Sequence, residues 1–255
     1  MQMFSRIRNL SLVFSRILEY FKRKLKPDIS CLSHSSSQIP RLEEIYYKHF
    51  GLRRNAVFVE VGAFDGESWS NTCSLADYGW SGLYIEPIHK YAQLCRRRHL
   101  KNRVHVAEYA VGSSECTVDI YIGGAFTTCR SGLPDLYNSI EWTGGAHIDK
   151  ELVRVRQRKL DDILYENGII PSFDLLVVDV EGSELEVFHG FSIAFWRPKL
   201  LIVEIEDEHP DFQGPDQAST EFRINSARCR SLIEETNLYT EVYRDAINTV
   251  FSLKA

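Results

Sequence analysis

No stretch of about 18 apolar residues occurs in this 255-residue chain, so none of it reads as a membrane span. Its six cysteines are Cys31, Cys73, Cys95, Cys116, Cys129 and Cys229; they include no C-x-x-C pair and no Cys/His cluster at zinc spacing. Cysteines scattered in this way indicate free thiols in a reducing compartment, so a cytoplasmic location is expected. A secretory leader is not expected either, because Arg and Ser break any apolar run near residue 1. Positive charge is scarce: 30 Lys and Arg face 35 Asp and Glu, a net charge of −5. Residues 1–26 carry seven basic residues and the single acid Glu19, a net of +6, which leaves −11 on the rest. An acidic body matches a phosphate backbone poorly, which argues against nucleic acid as the substrate.

What is present begins with helical spacing. Met3, Ile7, Leu10, Phe14, Ile17, Phe21 and Leu25 share one face, with Arg and Lys on the others. Two readings stay open. The helix packs on its own domain or on a second copy in a homo-oligomer, or residues 3–26 lie peripherally on an anionic membrane surface. Pro27 ends the helix, and the serine-rich residues 30–40 read as a linker. The expected organisation is a helix and linker over residues 1–40 and one domain over residues 41–255.

Beyond the linker, strand and helix patterns alternate. Strands are expected at residues 57–61, 82–86, 104–111, 173–179 and 198–206. Residues 117–122 extend or flank the third strand, and residues 152–158 alternate apolar and charged side chains. Helices are expected at residues 41–50, 70–78, 88–100, 160–167, 184–190 and 219–236, with Arg96, Arg97 and Arg98 solvated. Residues 123–150, broken by six Gly or Pro, read as a long irregular segment suited to acceptor specificity. The chain closes with strands 239–244 and 247–253 around Asp245-Ala246, an antiparallel hairpin. Such alternation implies right-handed parallel crossovers, hence an α/β, doubly wound, Rossmann-like sheet of seven mostly parallel strands.

The first strand, Val57-Phe58-Val59-Glu60-Val61, runs into the acidic turn Gly62-Ala63-Phe64-Asp65-Gly66. One strand–helix–strand unit later, Glu86 closes the second strand before Pro87. A buried strand, a glycine turn and an acid closing the next strand is how an α/β sheet holds an adenosine-type cofactor by its ribose. The third glycine of G-x-G-x-x-G is missing, and Asp65 stands where a pyrophosphate needs bare amides. NAD therefore fits poorly. A cofactor with a ribose and no phosphates fits better, and S-adenosylmethionine is the expected one.

Four blocks together resemble the FkbM-type methyltransferase family. They are Phe58-Val59-Glu60-Val61-Gly62-Ala63-Phe64-Asp65-Gly66, Gly82-Leu83-Tyr84-Ile85-Glu86-Pro87, Asp174-Leu175-Leu176-Val177-Val178-Asp179-Val180-Glu181-Gly182-Ser183-Glu184 and Leu201-Ile202-Val203-Glu204-Ile205. Ser70-Asn71-Thr72 and Gly79-Trp80-Ser81-Gly82 belong to the same pattern, which sets Asn71 on the cofactor side. The resemblance covers roughly residues 40–253. It implies a class I methyltransferase fold with its closing hairpin, S-adenosylmethionine as cofactor, and O-methylation. The acceptor stays open: a hydroxyl of a sugar, a glycan or a secondary metabolite. Members commonly carry Lys two positions before the Asp of Asp-Val-Glu-Gly, where this chain has Val177, so any role of that lysine is absent or supplied elsewhere.

Within that frame each candidate has a role. Gly62 and Gly66 let the backbone approach the methionine part of the cofactor, and Glu86 accepts from both ribose hydroxyls. One of Glu60 and Asp65 holds the cofactor's amino group while the other fixes the loop. Ala110 ends the third strand beside the adenine. Asp179 ends the fourth strand, at the crevice where open α/β sheets bind ligands. Glu181 follows it, and Glu204 ends the fifth strand. Glu184, at a helix N-terminus, reads as structural. His209 is the histidine best placed to act as base, with His147 second. Asp179, Glu181, Glu204, Glu206 and Asp207 could instead hold a divalent ion, but no diagnostic spacing supports a metal. A rival reading keeps the fold without catalysis, its basic helix recruiting partners at a membrane.

Overall fold

The computed structural model describes residues 27–139 and 152–254. The amphipathic helix expected over residues 1–26 and the candidate His147 lie outside the described residues. In chain order the strands are β1 (Val57–Val61), β2 (Ser81–Ile85), β3 (Arg103–Ala107), β4 (Ala110–Val111), β5 (Cys116–Tyr121), β6 (Leu152–Arg158), β7 (Leu175–Val178), β8 (Leu200–Glu204), β9 (Tyr239–Arg244) and β10 (Asn248–Leu253). The helices are α1 (Leu42–Phe50), α2 (Cys73–Tyr78), α3 (His89–Arg98), α4 (Leu133–Ser139), α5 (Leu160–Glu166), α6 (Glu184–His189), α7 (Ile193–Trp196) and α8 (Gln217–Glu235).

Seven strands form one sheet in the order β3-β2-β1-β7-β8-β10-β9. Only β10 runs against the others, pairing antiparallel with both β8 and β9. The expected doubly wound sheet with a closing hairpin is therefore present. Its central strands read as unbroken apolar runs because both faces are covered. Val59 and Val61 of β1 join Leu176, Val178, Leu201 and Val203 on one face, under side chains of α5, α6 and α8. Phe58 joins Leu175, Val177, Leu200 and Ile202 on the other, under α1, α2 and α3. Every one of these strand side chains is at most 1% exposed. Burying a single Leu or Val of this kind contributes roughly 1.5–3 kcal/mol before entropy is counted. Among the described residues no helix is long and apolar enough to cross a membrane, and all six cysteines are free thiols.

Four expectations need correction. The third strand does not run over residues 104–111. It stops at Ala107, where Glu108 turns out to pair with Arg96 and His89. β4 then leaves for a second sheet of order β4-β6-β5, in which β5 and β6 pair antiparallel. Residues 30–40 are not a free linker. Ile29–Leu32 forms a 3-10 turn, and Leu32 and Ile39, each 1% exposed, belong to the core beneath α1 and α2. The expected irregular segment contains α4, whose Leu133 and Tyr137 pack with Phe212 and Phe222 in a small separate core. Of the arginine triplet, Arg96 and Arg97 are exposed as expected, whereas Arg98 is partly buried. Arg98 pairs with Asp77 at 2.6 Å and Glu67 at 3.0 Å, and Arg96 donates to the Val106 carbonyl at 2.8 Å.

Candidate active site

The strand order reverses between β1 and β7, and ligands of open α/β sheets bind outside the carboxyl ends of the strands at such a point. A pocket opens there, with about 1320 Å³ of atom-free space, part of it open to solvent. Its wall is built from the turns after β1, β2 and β7, from the end of β8, and from residues 109–111, 124–127 and 129.

One end is organised by Glu86. It sits just past β2, is 5% exposed, and lines the pocket. Its Oε2 accepts the Phe64 amide at 2.9 Å and its Oε1 accepts the Ile88 amide at 2.8 Å. Burial pushes this carboxyl up to about 8, against the pull of those two bonds. Each oxygen keeps a lone pair for a further donor. Tyr109 and Ala110 line the same end. Ala110 thus reaches the pocket from the small sheet and not from the end of β3.

The glycines of the turn act differently from the expectation. Gly62 has φ +89°, and a Cβ there would lie 1.6 Å from the Asp179 carbonyl oxygen. What presses on Gly62 is the end of the neighbouring strand. Gly66 faces away from the pocket, where a Cβ would meet Cys95 Sγ at 2.7 Å and the His99 ring at 3.0 Å. Asp65 is a loop residue: its carboxylate accepts the amides of Glu67 and Ser68, at 2.9 and 2.7 Å, and the Ser68 hydroxyl at 2.8 Å. Neither Gly66 nor Asp65 is on the pocket wall.

Glu60 does reach the wall from inside the sheet, 3% exposed. It accepts from Ser70 Oγ at 2.9 Å, the Asn71 amide at 3.3 Å and the Thr72 hydroxyl. Burial raises its carboxyl to about 7 even so. Asn71 stands behind the wall. It donates to Gln38 Oε1 at 3.0 Å, and Gln38 donates in turn to Asp179 Oδ2 at 2.8 Å.

The opposite end is acidic. Asp179, Glu181, Glu204 and Glu206 all line it, and no Lys or Arg among the described residues does. Burial first, and repulsion between the carboxylates second, hold Glu181 and Glu204 well above the ordinary carboxylate range. Burial likewise raises Asp179 and Glu206. Asp207 turns away to the buried Arg230, at 2.7 and 2.8 Å. Glu184 is structural as expected, accepting the amides of Val180 and Gly182 at 3.0 and 3.2 Å.

Backbone strain gathers at the same place. Phe64 (φ +47°), Trp69 (φ +61°) and Glu181 (φ +53°) are non-glycine residues in the left-handed region, and all three line the pocket. Such conformations cost about 1–3 kcal/mol each and persist where neighbours enforce them. Glu181 is held by Thr128, whose hydroxyl donates to its carbonyl at 2.8 Å, and by Tyr137, whose hydroxyl donates to its Oε2 at 2.8 Å.

His209 is corrected as a base candidate: it does not line the pocket. It is 7% exposed, its Nδ1 accepts the Asp211 amide at 3.3 Å, and its ring packs 5.0 Å from that of Phe212. The residues that sequence reasoning missed are Gln38, Trp69 and Tyr137. Only Trp69 gave a signal, an aromatic beside the acidic turn.

The family model for the methyltransferase FkbM domain matches residues 60–236. The chain belongs to the FkbM methyltransferase family. A putative caffeoyl-CoA O-methyltransferase from Staphylococcus aureus is similar over 95% of this chain and 100% of that chain, at 11% identity and a TM-score of 0.50. An O-methyltransferase from Bacillus cereus in complex with SAH covers 92% and 96%, at 16% identity and a TM-score of 0.48. A putative O-methyltransferase from Klebsiella pneumoniae covers 95% and 90%, at 14% identity and a TM-score of 0.48. At such identities the likeness is one of fold. No curated protein matches the chain by sequence. The cofactor that the family and the class I fold imply is S-adenosylmethionine, and the residues present fit it. Glu86 is a buried carboxylate with spare acceptor capacity, and among the described residues only the backbone amides of Phe64 and Ile88 donate to it, which suits a ribose diol.

Proposed function

We propose that this FkbM-family methyltransferase transfers the methyl group of S-adenosylmethionine to a hydroxyl oxygen of a sugar, a glycan or a hydroxylated secondary metabolite. The observation that carries the reading is one pocket with two unlike ends, Glu86 at one and Asp179, Glu181, Glu204 and Glu206 at the other. S-adenosylmethionine supplies a methyl group already activated on a positive sulfur. The protein therefore has mainly to align two reactants at about 3–3.5 Å.

Glu86 and the braced turn after β1 bind the nucleoside end, with Ala110 and Tyr109 beside the adenine. The acidic end accepts from the cofactor's amino group and from the acceptor's hydroxyls. A carboxylate there takes up the proton released as the hydroxyl oxygen attacks. Trp69, 60% exposed on the pocket wall, offers an aromatic face to a sugar ring at the mouth.

Calorimetric titration with S-adenosylmethionine tests the cofactor. Failure of the folded protein to bind it would end the enzyme reading. Transfer of a labelled methyl group to a panel of polyols, glycans and phenols tests the acceptor, and a label recovered only on nitrogen would overturn the oxygen assignment.

A further inference from the structure

Among the described residues, one group of side chains is spaced as ligands for a metal ion: Asp179, Glu181 and Glu204, each offering an oxygen within 4.8 Å of the others. Two of them end adjacent strands whose register, Val178 beside Val203, fixes their separation. The third is held by its strained backbone. Outside groups steady two of the three. Gln38 donates to Asp179 Oδ2 and Tyr137 to Glu181 Oε2, each at 2.8 Å, and Asp179 and Glu204 lie close enough to share a hydrogen bond, a contact that a bridging cation would replace. Ligands oriented by a second layer of hydrogen bonds are the usual construction of a metal centre.

An independent observation points the same way. Glu206, 3% exposed on the same wall, has an Oε2 with no hydrogen-bond partner, and so has Glu204, 6% exposed. Buried acceptors left without a donor are costly, and no Lys or Arg among the described residues lines the pocket to serve them. A cation would.

We propose that Asp179, Glu181 and Glu204 bind a divalent cation, with Glu206 at its margin. An all-oxygen, all-carboxylate set suits a hard ion such as Mg²⁺, Mn²⁺ or Ca²⁺ and does not select Zn²⁺. The cation's role, unlike its site, rests on the O-methylation reading. It binds the acceptor oxygen and lowers the pKa of that hydroxyl. Glu206, the acidic-end carboxylate outside the three ligands, takes up the hydroxyl's proton, the oxygen–methyl bond forms, and the sulfur–methyl bond breaks to leave a neutral thioether.

The test uses the full chain, stripped with a chelator and free of S-adenosylmethionine. Mn²⁺ is titrated by the paramagnetic signal of the free ion, and Mg²⁺ and Ca²⁺ by calorimetry. Saturable binding of one ion is expected, weakened roughly tenfold or more in Glu204→Gln and in Glu181→Gln. A cooperative thermal unfolding transition measured on the same samples shows that each variant is folded, and S-adenosylmethionine binding is measured on the wild type. A wild type that binds S-adenosylmethionine but no cation overturns the proposal, and so does cation binding unchanged in both variants. Cation binding without cofactor binding supports the site while sinking the methyltransferase reading, so the two failures are distinct.

Discussion

Glu86→Ala should separate the cofactor reading from a merely structural one. The carboxylate has two duties: it satisfies the amides of Phe64 and Ile88, and it faces the pocket with acceptor capacity to spare. Hydrogen bonds to a charged group contribute roughly 1.5–3 kcal/mol each. Losing two from a ribose therefore removes about 3 kcal/mol or more, roughly a hundredfold in affinity. Burial holds this carboxyl at about 8, so at neutral pH it is mostly protonated. Removing that proton at pH 7 offsets the gain by about 1.4 kcal/mol. Binding favours the ionised form. Affinity should accordingly rise by up to about tenfold as pH goes from about 7 to above about 8, then level off. The assay is calorimetric titration of 5′-methylthioadenosine, which has the ribose but no amino group of its own to titrate in that window. The alanine variant should lose both the affinity and the pH slope. Stability will also fall, because two buried amides lose their acceptor. A variant that melts earlier yet binds the nucleoside as tightly as wild type would refute the ribose role and leave Glu86 a brace for the turn.

Three further outcomes follow from the geometry. Gly62→Ala should fail to fold or lose several kcal/mol, since its Cβ would overlap the Asp179 carbonyl at 1.6 Å on a backbone with φ +89°; a thermal midpoint unchanged from wild type would contradict this. Arg230→Met leaves the partly buried Asp207 without its cation and should cost about 3 kcal/mol in chemical denaturation, and a loss well under 1 kcal/mol would mean the pair is solvated. Glu60, raised by burial from 4.5 to about 7, binds its proton more tightly folded than unfolded, so its contribution to stability is full below about 4.5 and is lost as pH rises to about 7. The stability of wild type relative to Glu60→Gln should then fall across that window by up to about 3 kcal/mol, measured by denaturation at successive pH values, and a flat difference would contradict the raised carboxyl.

The main sheet was legible because its strands carry two signals at once. Residues 57–61 and 175–178 are buried on both faces, so they read as apolar runs, and glycine or an acid marks where each stops. The second sheet was not legible. β4 is two residues long, and its partner β6 comes about forty residues later in the chain. Composition also misled: serine-rich residues 30–40 hide Leu32 and Ile39 in the core. The acidic half of the site was visible as Asp179, Glu181 and Glu204, because strand ends at a reversal point are predictable places for function. Gln38 was invisible, since its bond to Asp179 spans 141 positions, and Tyr137 lay in a stretch whose glycines masked a helix. His209 was misplaced because proximity to a strand end says nothing of which way a side chain turns.

The seam between β1 and β7 joins segments more than a hundred residues apart, and the pocket straddles it. Closing so long a loop has an entropic cost that only the completed sheet recovers. A ligand that touches Glu86 on one side and Asp179 on the other can bind only after that closure. It therefore adds its binding free energy to the joined state and to neither half alone. Protection of the amides of β1 and β7 against hydrogen exchange is the quantity in which a bound cofactor should first make itself felt.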